Sequence, residues 1–460
     1  MNKKISVGLA ITIAIIAMTV TFSITMILAM QLYDRTVTAV QEKATMYDKL
    51  AEIDNYVRAN AFYDINPDTL SDTIASGYVL GTGDRYATYY TVKAYTDLLD
   101  VQNGAVIGIG VEVVKDNSGY AKIIKVYDGS PAAEMGMVRG GYITAIDGTE
   151  VRTLSTRDAV TARLRGQEGT STVISYLSPL SEASELTVTR TPYETPTVEY
   201  QMIGNSCGYL KIRNFSANTP SELDYAVRQA QNAGATSLIF DLRDNTGGLL
   251  DSAISCIDLL APAGPVAFAE ARDGSRTELG SSNASEVDLP MVCIVNGSTA
   301  SSAELFALSL REFGKAQLIG TRTYGKGTIQ AAPYKLADGS AVVLTVARLL
   351  TGQLTSFDGT GIEPDVEVVL TADEEQAYYD LTIETDTQIQ RAVELASSIT
   401  FAQANGLDPN AAASSSASSE PAGEEENGDE NGEENGEEGG GESEAGETGG
   451  EGEDAESDGE

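Results

Sequence analysis

Asn296-Gly297-Ser298-Thr299-Ala300-Ser301-Ser302-Ala303-Glu304 follows an apolar run over 291–295 and leads into a helical run over 302–310. A buried strand that turns directly into a helix is the unit from which α/β layers are built. The same alternation extends outward on both sides. Strands are expected over 207–212, 237–242 and 317–320, and helices over 221–233 and 249–260, which predicts an α/β fold with a mostly parallel sheet. A strand-to-helix junction also suits a nucleophile, because the helix N-terminus supplies positive potential. Ser301 stands at that junction, with Ser298 and Ser302 as rivals, and capping of the helix is the competing role for all three.

The chain has 460 residues and no histidine, so a nucleophilic serine would need another base. The serine-lysine arrangement is the solution without imidazole. Lys326 lies in Tyr324-Gly325-Lys326-Gly327-Thr328-Ile329-Gln330, between glycines that let the backbone approach closely. An exposed lysine titrates near pH 10.4 and is no base at neutral pH, whereas burial disfavours the ammonium and lowers the pKa. Gln330, four residues on, is spaced to reach and orient the amine. A tetrahedral intermediate also needs two backbone donors. The Ser302 N–H is one, and the glycine turn of Asp241-Leu242-Arg243-Asp244-Asn245-Thr246-Gly247-Gly248 offers the other at Gly247.

Cys207, Cys256 and Cys293 have neither paired spacing nor histidine partners, so they are read as small buried hydrophobes; no metal or cofactor is implied. The formal charge is −38, half of it in residues 420–460, where there is no Lys or Arg. Tail and body are both acidic, which argues against a nucleic-acid partner. Beyond about 407 the composition collapses to Ala, Ser, Gly and Glu, which predicts disorder.

After Lys3 and Lys4, residues 5–30 carry no charge and are long enough to span a bilayer as a helix. The expectation is a retained signal anchor with the N-terminus in the cytoplasm and the body outside, in a single-pass protein of the cell membrane. Cleavage near Ala29 is the alternative, and it exports the body equally. Residues 32–99 read as helical, and the tyrosines of Asp84-Arg85-Tyr86-Ala87-Thr88-Tyr89-Tyr90 as core and rim packing. Short strands follow over 107–114, 121–126, 142–146 and 173–177, with helices over 130–136 and 156–164, the second capped by Ser155.

This order of strands and helices, with Gly108-Ile109-Gly110-Val111 in the first strand and Arg165-Gly166 before the last, resembles a PDZ domain. The resemblance implies a carboxylate-binding loop at Gly108, Ile109, Gly110 and Val111 and an edge strand that pairs with an incoming peptide. Gly141 stands where such domains often have Asp. The Asp241 to Gly248 run, the Ser301 run, the Lys326 run and Gly361-Ile362-Glu363-Pro364-Asp365 together resemble the carboxyl-terminal processing peptidases, the tail-specific proteases of peptidase family S41. Thr246 departs from that family's usual proline, and Ser302-Ala303 from its usual Ala-Ser.

The resemblance implies Ser301 as nucleophile, Lys326 as general base, Gln330 as its orienting partner, and an oxyanion hole at Gly247 and Ser302, with Arg165 coupling the PDZ domain to the core. It implies a ClpP/crotonase-like protease core with an inserted PDZ domain, a helical N-terminal region and an N-terminal transmembrane helix. The expected divisions are an anchor (1–31), a helical region (32–103), a PDZ domain (104–182), a protease core (183–403) and an acidic tail (404–460). The partners would be proteins with accessible apolar C-termini, with homo-oligomers plausible by analogy. The rivals are a PDZ-based peptide-binding scaffold with an inactive core, and a crotonase-like acyl-transfer enzyme, which would explain neither Lys326 nor the PDZ domain.

Overall fold

The computed structural model describes residues 7–102, 106–283 and 286–404, so the expected tail falls almost wholly outside it. A six-stranded sheet organises the core in the order Val198–Ile203, Cys207–Ile212, Ser237–Asp241, Met291–Val295, Ala316–Gly320, Val366–Glu367. All its neighbours pair in parallel except the first two. The three central strands are buried at every position. This explains their unbroken apolar sequence, since parallel strands are covered on both faces. On one face Leu238, Phe240, Cys293 and Val295 pack against helices Thr219–Asn232, Leu250–Asp258 and Ser302–Glu312. On the other, Ile239, Val292 and Ile294 meet Ile389, Ala392 and Leu395 of the helix Thr387–Ala404. The three cysteines are free and buried.

A four-stranded antiparallel sheet, Arg276–Ser282, Gly264–Ala271, Thr345–Thr351, Thr328–Gln330, carries the lysine loop at its edge. A smaller sheet ties the N-terminal region in: Thr88–Tyr90 pairs antiparallel with Ala341–Val343. That region is otherwise helical, as expected, with helices Val7–Asn60, Pro67–Leu80 and Val92–Gln102. The anticipated anchor over 5–30 lies partly outside the described residues, and among those described no helix is long and apolar enough to cross a membrane.

The intervening module has an antiparallel sheet in the order Val111–Lys115, Ala121–Val126, Tyr142–Ile146, Ser171–Leu177, Ala183–Thr189. The division expected at 182 falls in the turn of its last hairpin, and the sheet runs on to Thr189. The strand expected over 107–114 is split: Val106–Gly108 leaves to pair with Thr191–Tyr193. The break is at Gly110, whose φ is +82°, and a Cβ there would lie 2.1 Å from Ser130 Cβ, so only glycine fits. Helix Arg157–Leu164 is capped by Thr156, whose Oγ1 accepts the Ala159 N–H at 3.1 Å, and not by Ser155.

Candidate active site

Ser301 occupies the turn between strand Met291–Val295 and helix Ser302–Glu312 with φ 59° and ψ −121°. An L-residue is strained there by about 1–3 kcal/mol, and it stays only where its surroundings over-determine it. The surroundings are visible. Thr299 Oγ1 donates to the Leu242 carbonyl at 2.9 Å, the Ala300 N–H donates to the Asn245 carbonyl at 2.9 Å, and Asn296 and Asp244 exchange two hydrogen bonds. The fourth hold is the Ser301 N–H itself, which donates to Glu304 Oε2 at 2.8 Å.

Glu304 is wholly buried and accepts four donors. Besides Ser301, these are Thr323 Oγ1 at 2.6 Å, the Gly325 N–H at 2.7 Å and the Lys326 N–H at 2.8 Å. Burial raises its pKa above the ordinary carboxylate value, and these hydrogen bonds pull the other way. The turn carrying Ser301 and the loop carrying Lys326 thus share one carboxylate. Lys326 is half-buried, and desolvation lowers its pKa below the usual lysine value. Among the described residues no hydrogen bond joins Ser301 Oγ to Lys326 Nζ; Glu304 is what connects them. Glu304 closes the quoted run in sequence, but only the fold reveals this role.

The 241–248 turn is set by a buried ion cluster in which Arg243 binds Asp241 at 2.7 Å and Asp386 at 2.7 Å. Gly247 has φ 99°, and a Cβ there would lie 2.9 Å from Ser301 Cβ and 3.0 Å from Ser302 N, so the loop closes on Ser301. The Gly247 N–H is committed to Asn245 Oδ1 at 2.9 Å. It is therefore not the free donor expected from the sequence, because the Asn245 side chain folds back on the turn. Among the described residues the N–H groups of Ser302 and Gly248 have no intramolecular acceptor. The two positions are adjacent, since Ser302 Oγ donates to the Gly248 carbonyl at 3.0 Å.

Gln330 also differs from expectation. Its Nε2 donates to Thr328 Oγ1 at 2.9 Å and Thr345 Oγ1 at 3.3 Å, and not towards Lys326. Thr328 and Gln330 are two apart on one strand and so share a face. The aromatic ring facing the lysine amine is Tyr86, with Nζ 5.0 Å from its centroid. No sequence signal distinguished Tyr86 from its neighbouring tyrosines.

A cleft of about 1100 Å³ separates the module from the core. Ile109, Gly110, Val111 and Arg165 line one side, and Thr246 and Ser298 the other; Ser301 and Lys326 lie outside its lining. Gly108 forms a bridge with Arg165. Ile109 is 1% exposed and belongs to the module's apolar core. Across the junction Arg213 binds Glu199 at 2.8 Å and Glu112 at 3.2 Å, and Lys125 also binds Glu199.

Residues 206–368 match the model of Peptidase family S41. A carboxyl-terminal-processing protease of Synechocystis sp. is 34% identical over 312 residues, covering 66% of this chain and 71% of its own. The carboxy-terminal processing protease CtpA of Bacillus subtilis is 31% identical over 325 residues, covering 70% of this chain and 69% of its own. Among solved structures, an S41-type protein of Bacteroides fragilis shares the fold over 74% of this chain and 92% of its own, with TM-score 0.50 and 21% identity.

Proposed function

Because the chain belongs to peptidase family S41, as a carboxyl-terminal processing serine protease, we propose that Ser301 and Lys326 are its catalytic dyad and the module over 106–193 is a PDZ domain. The observation that carries the dyad is the shared Glu304 carboxylate, which fixes the backbone of both residues from one point. The lowered lysine pKa supports the same assignment, since it makes the neutral amine accessible.

In this mechanism the neutral amine of Lys326 takes the proton of Ser301 Oγ as the oxygen attacks the peptide carbonyl. The Ser302 and Gly248 amides receive the oxyanion. The lysine ammonium then protonates the leaving amine; in the second half a water attacks the acyl carbonyl as it gives a proton to Lys326, which passes that proton to Ser301 Oγ as the acid departs. The PDZ reading rests on the module's strand order and on the cleft, whose far wall reaches Thr246 and Ser298 beside the nucleophile turn. Unstructured apolar C-termini are the substrates this arrangement suits. The charge-free run over 5–30 behind Lys3 and Lys4 supports membrane anchoring with the protease outside the cytoplasm.

The test is cleavage of an unfolded reporter ending in Leu-Ala-Ala by the full-length protein, beside Ser301→Ala and Lys326→Ala. Loss of cleavage in both variants is expected. Cleavage that survives Ser301→Ala sinks the dyad, and a wild type that neither cleaves nor reacts with a serine-directed acylating probe favours the scaffold.

A further inference from the structure

Three consecutive residues of the N-terminal region, Asp84, Arg85 and Tyr86, reach the lysine loop and the strand paired with it. The pairing of Thr88–Tyr90 with Ala341–Val343 brings them there, because the turn before one strand must lie beside the residues that follow the other. Asp84 Oδ2 accepts the Thr345 N–H at 2.7 Å and Oδ1 accepts Thr345 Oγ1 at 2.9 Å. Arg85 Nη2 donates to the Tyr324 hydroxyl at 2.6 Å, and its guanidinium stacks 5.1 Å from that ring. The Tyr86 ring lies 5.0 Å from Lys326 Nζ, and its hydroxyl is buried without a hydrogen-bond partner.

The Asp84 contacts determine an orientation. An ionised carboxylate only accepts, so the single hydrogen of the Thr345 hydroxyl must point at Asp84. The hydroxyl then has only lone pairs to offer Gln330, and the amide must turn its NH₂ end towards Thr345, where it is found. Among the described residues no donor reaches Gln330 Oε1, which is thereby left as an acceptor, the polarity that an ammonium on Lys326 requires. Tyr86 acts at the other end, keeping water from the amine and giving the cation a π-face to rest on.

We propose that Asp84 and Tyr86 are positioning residues of the catalytic centre: Asp84 sets the Gln330 amide through Thr345, and the Tyr86 ring holds the Lys326 side chain in place. The proposal rests on the dyad reading. It makes the N-terminal region part of the active centre and accounts for a Gln330 amide that is set in advance for the lysine ammonium although its Nε2 bonds Thr328 and Thr345 in the resting enzyme.

The test uses full-length enzyme and a peptide substrate, with kcat and KM measured separately and folding followed by thermal melting. Asp84→Asn and Thr345→Val are each expected to lower kcat at least tenfold with KM within about twofold, and Thr345→Ser, which keeps the hydroxyl, to recover most of the loss. Asp84→Asn combined with Gln330→Ala should be no slower than Gln330→Ala alone, because both break one relay. Tyr86→Ala should lose at least tenfold in kcat and Tyr86→Phe regain most of it. Multiplying effects of Asp84→Asn and Gln330→Ala, or no recovery in Thr345→Ser, overturn the relay even where Asp84→Asn folds poorly. A Tyr86→Phe no better than Tyr86→Ala overturns the role of the ring. If Lys326→Ala stays active, the dyad reading itself has failed, a result distinct from either of these.

Discussion

Glu304 holds Lys326 with the same oxygen that holds Ser301: Oε2 accepts the Lys326 N–H at 2.8 Å and the Ser301 N–H at 2.8 Å. The two chain segments are set by one atom, and the second oxygen takes Thr323 and Gly325. An amide in this place would turn one pair of acceptor contacts into donor against donor.

Glu304→Gln is therefore expected to cost on the order of 2–4 kcal/mol of stability, through buried N–H groups left without an acceptor. It should slow acylation at least a hundredfold. Urea unfolding and single-turnover kinetics measure the two effects, and acylation at the wild-type rate would remove Glu304 from its place as common anchor.

Burial holds the Lys326 pKa below its ordinary 10.5, and in the proposed dyad the amine must be neutral to act. Activity should rise with pH through that lowered pKa, so kcat/KM should show an ascending limb centred below 10.5. The same shift acts on stability. Between the folded pKa and 10.5 the unfolded chain binds more protons, so stability contributed at this site rises with pH, and below the folded pKa the buried ammonium is a full penalty. Lys326→Met should accordingly be inactive and melt higher than wild type at neutral pH.

Ser301 pays for its exposure with a backbone conformation that favours glycine. Ser301→Gly removes the hydroxyl and the strain together. The variant should be inactive yet more stable by about 1 kcal/mol, the part of the strain left after the extra freedom of glycine in the unfolded chain. A variant that melts below wild type contradicts this.

At the module-core junction, burial pushes the Glu199 pKa up, but the hydrogen bonds and charges of Arg213 and Lys125 prevail and bring it to about 2. A depressed carboxylate adds stability above its unfolded value near 4.5 and loses it as pH falls towards 2. Glu199 is partly exposed, so the contribution is on the order of 1 kcal/mol after screening. Glu199→Gln should flatten the acid limb of the stability curve between pH 4.5 and 2, measured by denaturant titration.

Much of the core was legible because its signals are local. The apolar runs at 237–241 and 291–295, the turn glycines and the quoted serine and lysine runs each lie within ten residues. What escaped is set by contacts across the chain. Asn245 folding back on Gly247 changes which amide is free, and nothing in the turn's sequence announces it. Glu304 stood in view at the end of the serine run, but its four donors come from two separate segments, the turn at Ser301 and the stretch 323–326. Tyr86 looked like packing and Asp84 drew no reading, because both reach their partners only through the pairing of Thr88 with Val343.

That pairing also has a consequence in time. Asp84 and Thr345 are 261 residues apart, so the lysine loop cannot acquire its full surroundings until nearly the whole folded portion has been synthesised. Domains otherwise fold as they emerge. A chain still on the ribosome holds the serine turn but lacks the finished surroundings of Lys326, so on the proposed dyad the polypeptides crowded around it at that stage are safe from it.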